Sequence, residues 1–351
     1  MALSMNRRAA LAGAGGSLIW SFSWDRGHAQ TKERELLVGI PVETNNSLPV
    51  MLAAAAGYFK AEGINARVST GASGTNARQQ IASGDMLYTQ GDPLHPLALS
   101  GAGRPARMLM GVDTRASVAM MVHKDLWAQG IRTVEDVGRY KGPGGAKPKI
   151  GITRVGAQTW LYALALLQRV GLEDNANYIS LGSVSNLVAA FKTGQVDVVM
   201  ANSLLYFTII DEKLGEPAFN ATDTDHWNKF FGSNFAGQVM FALESQIKAD
   251  PALAQSVVNA IYRAMQHIKK TSAKEITELV QPVFLPNFKP DVAAREVEFL
   301  KPIFDYDCAI TELQYNNGGK LWFSEGTKVK AQPYKDMVDL SFLEKAKARF
   351  G

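Results

Sequence analysis

The chain repeats itself at a fixed interval. Ser73-Gly74-Thr75-Asn76 returns 110 residues later as Ser183-Val184-Ser185-Asn186. The register then holds, with Ile81 falling on Phe191, Ser83 on Thr193, Gly84 on Gly194 and Met86 on Val196. Each copy has a hydroxyl residue suited to capping a helix, an amphipathic run, a stopping glycine and a short apolar strand. Upstream the echo continues with slight slippage, Val38-Gly39-Ile40 answering Ile150-Gly151-Ile152 and Gly63-Ile64 answering Gly171-Leu172. Duplication of a unit this long predicts two similar lobes, each with a core of its own.

Both copies read as strand, helix, strand, helix, strand. Strands are expected at 36–41, 65–70 and 86–90 in the first copy, and at 149–153, 178–181 and 196–201 in the second. Helices are expected at 47–61, 75–83, 157–170 and 185–193. Short apolar runs alternating with longer periodic ones indicate α/β lobes with doubly wound, parallel sheets covered on both faces. Right-handed crossovers gather the strand C-termini on one edge, where sheets of this kind bind ligands. Two more extended runs, 117–123 and 238–243, are placed where the chain crosses between lobes. Residues 30–115 and 236–351 then form one lobe and 116–235 the other, with a helical tail from Pro251 wrapping back onto the first. The glycine-rich loop 140–147 contains Gly144-Gly145-Ala146-Lys147, but it precedes a strand and so is not a phosphate loop.

Residues 1–29 are unlike the rest. Arg7 and Arg8 precede an apolar stretch from Ala9 to Phe22, diluted by Gly13, Gly15 and Gly16 and shorter than the ~20 residues that cross a bilayer. Gly27-His28-Ala29 then offers a small-residue cleavage site before Gln30. That order is the layout of an export signal, and the paired arginines with weak hydrophobicity point to the twin-arginine route. No cysteine lies near the cut, so a lipid anchor is not expected. Removing the signal reduces the formal charge from +4 to +2, and no basic face for nucleic acid is visible. Cys308 is the sole cysteine, which excludes an internal disulfide and a thiolate metal cluster; it reads as a small buried apolar residue.

Several segments carry a family resemblance. Gly57-Tyr58-Phe59-Lys60-Ala61-Glu62-Gly63-Ile64 looks like the turn from first helix to second strand in periplasmic binding proteins of the nitrate, sulfonate, taurine and thiamine-pyrimidine importers. Phe191-Lys192-Thr193-Gly194-Gln195-Val196-Asp197 resembles a second segment of that family, and Ile150-Gly151-Ile152-Thr153 resembles its second-lobe opening. Asp250-Pro251 before a long helix also fits, and the resemblance covers roughly Leu36 to Lys270. It implies a two-lobed periplasmic-binding fold of type II with two hinge crossings. It also implies a small-molecule ligand between the lobes, no cofactor, and delivery by a monomer to an inner-membrane ABC permease.

A protein that closes on a solute needs preorganised polar groups that replace the solute's hydration. Four loops at strand C-termini are suited to this. Asn45, Asn46 and Ser47 lead into the first helix, and Ser73, Gly74, Thr75 and Asn76 open the second with free backbone N–H groups. Gln90 and Gly91 follow a strand; Asp92-Pro93 beyond them reads chiefly as a helix cap. From the second copy, Arg154, Gly156, Ala157, Gln158, Thr159 and Trp160 open a helix, and Asn202 and Ser203 follow the last strand. Each of these residue types also caps helices whatever binds. Arg154 would suit a carboxylate or sulfonate, whereas Glu43 and Asp92 oppose a simple anion; the balance leans to an organic acid with an apolar or ring portion. Tyr206, Phe207, Trp227, Phe230 and Phe231 are candidates for the core or an aromatic lid.

The alternative class is an enzyme on the same fold, such as a pyrimidine synthase or chorismate lyase. The synthase's cysteine cluster is missing, and the five histidines show no metal-ligand spacing. Asp223-Thr224-Asp225-His226 reads as a solvated turn, and no nucleophile elbow or triad order stands out. A periplasmic sensor partner is the third class.

Overall fold

Buried runs of Val, Ile, Leu and Met build ten strands among the described residues. The structure, a computed structural model, describes residues 34–41, 44–71 and 73–351. The expected export signal and Glu43 lie outside them. In chain order the strands are β1 (Arg34–Ile40), β2 (Ile64–Thr70), β3 (Tyr88–Gly91), β4 (Ala106–Gly111) and β5 (Val118–His123). They continue as β6 (Lys149–Ile152), β7 (Asn177–Ser180), β8 (Val198–Asn202), β9 (Gly215–Asn220) and β10 (Val239–Leu243). One sheet has the order β2-β1-β3-β10-β4 and the other β7-β6-β8-β5-β9.

The duplication governs this topology. The first three strands of each sheet are parallel and run in equivalent order. The fourth strand, β10 or β5, is antiparallel to both its neighbours. Even the irregularity recurs, since the register slips at Met240/Phe241 in β10 and at Met120/Met121 in β5. Ser73 and Ser183 each accept a hydrogen bond from the backbone N–H three residues on, at 3.2 Å in both copies. Gly84 and Gly194 close those helices in the left-handed region (φ 88° and 67°), where a side chain would be strained.

Three expectations change in detail. The runs at 117–123 and 238–243 are not bare crossings; each becomes an inner strand of the other copy's sheet. Both are buried along their full length, as an inner strand requires. Each enters from the opposite lobe and so runs against its neighbours, which makes the sheets mixed instead of parallel. Strands β4 and β9 lie at the edges, and the Gly-Glu-Pro start of β9 disguised it as a turn; an edge tolerates Pro217. The first helix is broken into Leu48–Ala55 and Tyr58–Ala61.

The actual crossings lie side by side. Asp113 Oδ1 accepts from the backbone N–H groups of Gly237 (2.6 Å) and Gln238 (2.9 Å). Val112 N–H donates to Gln238 O and Phe235 N–H to Thr114 O, both at 3.0 Å. A methyl group on Gly237 would sit 2.6 Å from Ala116 N, so this close approach needs glycine. Burial pushes the Asp113 carboxyl well above its ordinary range, aided by the charges of Asp92 and Asp305.

The tail is helical as expected, with an additional helix Glu312–Trp322. Helix Pro251–Lys270 covers the first sheet, whereas helix Pro290–Leu300 reaches across to helix Ser203–Asp211 beyond β8. There Arg295 pairs with Asp211 (2.9 Å), and Phe299 stacks on Tyr206 with ring centroids 5.4 Å apart. Trp227, Phe230 and Phe231 pack mainly among themselves and with Phe219, Phe235 and Tyr162, as core.

Candidate functional site

The carboxyl edges of the two sheets face each other across a narrow cleft. Asn46, Gly74, Asp92 and His95 line it from the first-sheet side. Thr153, Ala157, Gln158, Thr159 and Asn202 line it from the second, and Gln238 comes from the return crossing. Pro41, Val118, Val184, Leu187 and Met200 supply its apolar surface. Small polar residues thus lie opposite aliphatic ones, a composition suited to a solute with both character types.

Hydrogen bonds tie the two sides together. Gln158 Nε2 donates to Asp92 Oδ2 (3.3 Å) and to Gly237 O (2.9 Å). Thr75 Oγ1 donates to Val155 O (3.3 Å), and Ser203 Oγ donates to Asn46 Oδ1 (2.7 Å) while also meeting Glu296 of the tail. Gln90 Nε2 donates to Asn46 O (2.6 Å) and approaches Gln238 Oε1 (3.5 Å). Two buried polar atoms at this junction have no hydrogen-bond partner among the described residues, Gln90 Oε1 and His95 Nδ1; Thr44 Oγ1 is also unpartnered but belongs to a residue lining a separate pocket. Buried polar atoms are rarely left unpaired, and His95 Nδ1 is one that belongs to the cleft wall, where a polar group of a solute can pair with it.

Electrostatically the cleft is nearly neutral. Burial raises the Asp92 carboxyl to about 7, against the opposing hydrogen bonds from Leu94 N–H and Gln158. Burial, with the nearby charge of Arg78, lowers His95 to about 3, so its imidazole is uncharged at neutral pH. Neither arginine nor lysine is among the lining residues.

The residues singled out in the sequence divide into three groups. Asn46, Gly74, Ala157, Gln158, Thr159 and Asn202 line the cleft. Ser47, Ser73, Thr75, Gln90, Gly91 and Ser203 are buried behind or beside it, and Asn76 supplies the N–H that Ser73 caps. Asn45 contributes backbone to the turn Asn45–Ser47. Arg154 is exposed and does not line the cleft, while Gly156 and Trp160 face a separate outer groove. Asp92 both caps helix Leu94–Gly101 and lines the cleft.

His95, Thr153 and Gln238 were missed. His95 sits in an apolar helical run that reads as core. Its counterpart is Gly74, where a methyl group would fall 2.2 Å from His95 Nε2. Gln238 follows a glycine at the head of a strand, and only the hinge geometry turns it inward.

A metal reading has no support in the side chains, since no three His, Cys, Asp or Glu among the described residues are placed to hold an ion. No helix among them is long and apolar enough to cross a membrane. Cys308 is buried, and burial raises its thiol well above the ordinary range, which disfavours the nucleophilic thiolate.

Comparison with known proteins adds three findings. The model of the NMT1-like family matches residues 29–281. YtlA of Bacillus subtilis (strain 168), named as a binding protein, is 23% identical over 336 residues, covering 90% of this chain and 92% of YtlA. Two solved structures share the fold. The ligand-binding component of an ABC-type import system from Staphylococcus aureus has a TM-score of 0.70 at 11% identity, covering 89% of this chain and 99% of that one. The periplasmic nitrate-binding protein NrtA from Synechocystis PCC 6803 has a TM-score of 0.72 at 11% identity, covering 90% and 89%.

Proposed function

This chain belongs to the NMT1-like family, and on that premise we propose that it is a periplasmic solute-binding protein that closes on one small molecule and delivers it to an ABC importer. The observation that carries this reading is the cleft itself. Its polar lining, which includes the unpartnered His95 Nδ1, lies between sheets that touch through side chains and two adjacent crossings, the arrangement a closing binder needs. Residues 30–115 with 236–351 act as one lobe and 116–235 as the other, joined at Asp113 and Gly237. The mature chain works as a monomer, exported by its N-terminal signal and without a lipid anchor. It has no catalytic role in this reading.

The lining favours an uncharged or weakly basic solute with a ring or apolar part over a simple anion, because Asp92 is present and no cation is. Asn202, Gln238, Thr159 and neutral His95 supply donors and acceptors around it. A thermal-shift screen of pyrimidines, aromatic carboxylates, sulfonates and nitrate should give its largest shift with a neutral heterocycle, and that shift alone should be lost in a cleft variant. At 100 times its dissociation constant that solute should add about 2.7 kcal/mol of stability. Gln158→Ala, which removes hydrogen bonds to Asp92 and to Gly237, should then weaken binding about tenfold. No shift with any compound, accompanied by turnover of one, would overturn the binding-protein reading in favour of an enzyme.

A further inference from the structure

A second concavity lies outside the cleft, on the far side of the Thr75–Val155 hydrogen bond. It is an open groove of about 690 Å³. Arg78 and Leu94 line it from the first-sheet side, Gly156 and Trp160 from the second, and Lys328 and Lys330 from the tail. Three cations face this space and no aspartate or glutamate lines it.

Arg78 is the informative member. It is partly buried on helix Gly74–Ser83, yet among the described residues it makes no ion pair or hydrogen bond. Burial accordingly lowers its pKa from the ordinary arginine value, with no acid nearby to offset the cost. Guanidinium groups that lose water normally gain a carboxylate, phosphate or carbonyl in exchange. Gly156, in the left-handed region at φ 79°, brings the second-sheet wall close to this guanidinium; a methyl group there would stand in ordinary contact with Arg78 Nη2, at 3.9 Å. Lys328 also adopts a left-handed backbone (φ 57°), unusual for a residue with a side chain. Trp160 is half-buried and offers an indole at the same wall.

We propose that this groove is a second binding site, separate from the cleft, for an organic anion with a flat apolar portion. Arg78 takes the acid group by its paired N–H donors, Lys328 and Lys330 add charge, and Trp160 packs against the flat portion. The acid expected from sequence at Arg154, which is exposed, is thereby assigned to Arg78, outside the solute cleft.

The test uses the whole mature chain and benzoate as probe, titrated calorimetrically and by tryptophan fluorescence. Benzoate is expected to bind and to change a fluorescence signal that is absent in Trp160→Phe. Arg78→Ala should weaken it at least tenfold, and Arg78→Gln, which keeps much of the side chain's packing, should do the same. Lys328→Ala with Lys330→Ala should weaken it several-fold and flatten its dependence on salt. Acetate and benzyl alcohol, carrying the charge or the ring alone, should each bind at least tenfold more weakly. Unchanged affinity in both Arg78 variants overturns the proposal, as does absence of benzoate binding at millimolar concentration. Loss of benzoate binding in Gln158→Ala with retention in Arg78→Ala also overturns it, placing the anion in the cleft and leaving the solute-binding reading intact.

Discussion

Asp113→Ala should lower the stability of this protein by about 4 kcal/mol, whereas Asp113→Asn should cost far less. Both crossing-strand amides, Gly237 N–H and Gln238 N–H, donate to the same oxygen, Asp113 Oδ1. Alanine removes that oxygen and leaves two buried donors unpaired, at about 1–3 kcal/mol each. Asparagine keeps an oxygen in place and carries no charge, which suits a carboxyl that burial already pushes toward its neutral form. Equilibrium denaturation of the three chains checks the claim; an alanine variant within 1 kcal/mol of the parent would refute it. Asp113→Ala should also bind solute more weakly, since the loosened crossings no longer fix the direction of closure.

The second large effect is on pH dependence, and it comes from two buried groups of opposite sign. Asp92 titrates near 7 when folded, against an ordinary carboxyl value of about 3.9. Between those values the folded chain holds a proton that the unfolded chain has lost, so this term weakens the fold as pH rises from about 4 to 7. His95 is displaced the other way, to about 3 from an ordinary value near 6.5. There the unfolded chain holds the extra proton, and this term strengthens the fold as pH rises from about 3 to 6.5. In the parent the two largely cancel. Asp92→Asn removes one of them, so its stability relative to the parent should climb by roughly 3 kcal/mol between pH 4 and pH 7.5. Denaturation midpoints of both chains across that range measure it; parallel curves would show that Asp92 titrates normally.

Much of this was legible in the sequence because the repeat exposes it. Ser73 and Ser183 were recognisable as caps from local chemistry alone, and the loops behind them supplied Asn46, Gly74, Ala157, Gln158, Thr159 and Asn202 to the cleft. What escaped depends on partners distant in the chain. His95 belongs to the site because Gly74 has no side chain to fill the space beside it. The sequence draws attention to Arg154 at a helix start and not to Arg78 within a helix, and only the packing leaves Arg78 partly buried without a partner and Arg154 in solvent. Strand β9 was hidden because glycine and proline end most strands but are tolerated at an edge.

The placement of β10 has a consequence for how this chain is made. Residues 239–243 form the strand that joins β3 to β4, yet they leave the ribosome roughly 130 residues after β4 is complete. At 5–20 residues per second that is a wait of roughly 6–26 s. Every strand of the other sheet, from β5 to β9, is available before β10 appears. The inserted lobe can therefore finish first, while the lobe synthesised earlier stands with β3 and β4 unbridged and their apolar faces open. The half that is begun first is completed last, and in that interval it is most in need of protection by a chaperone.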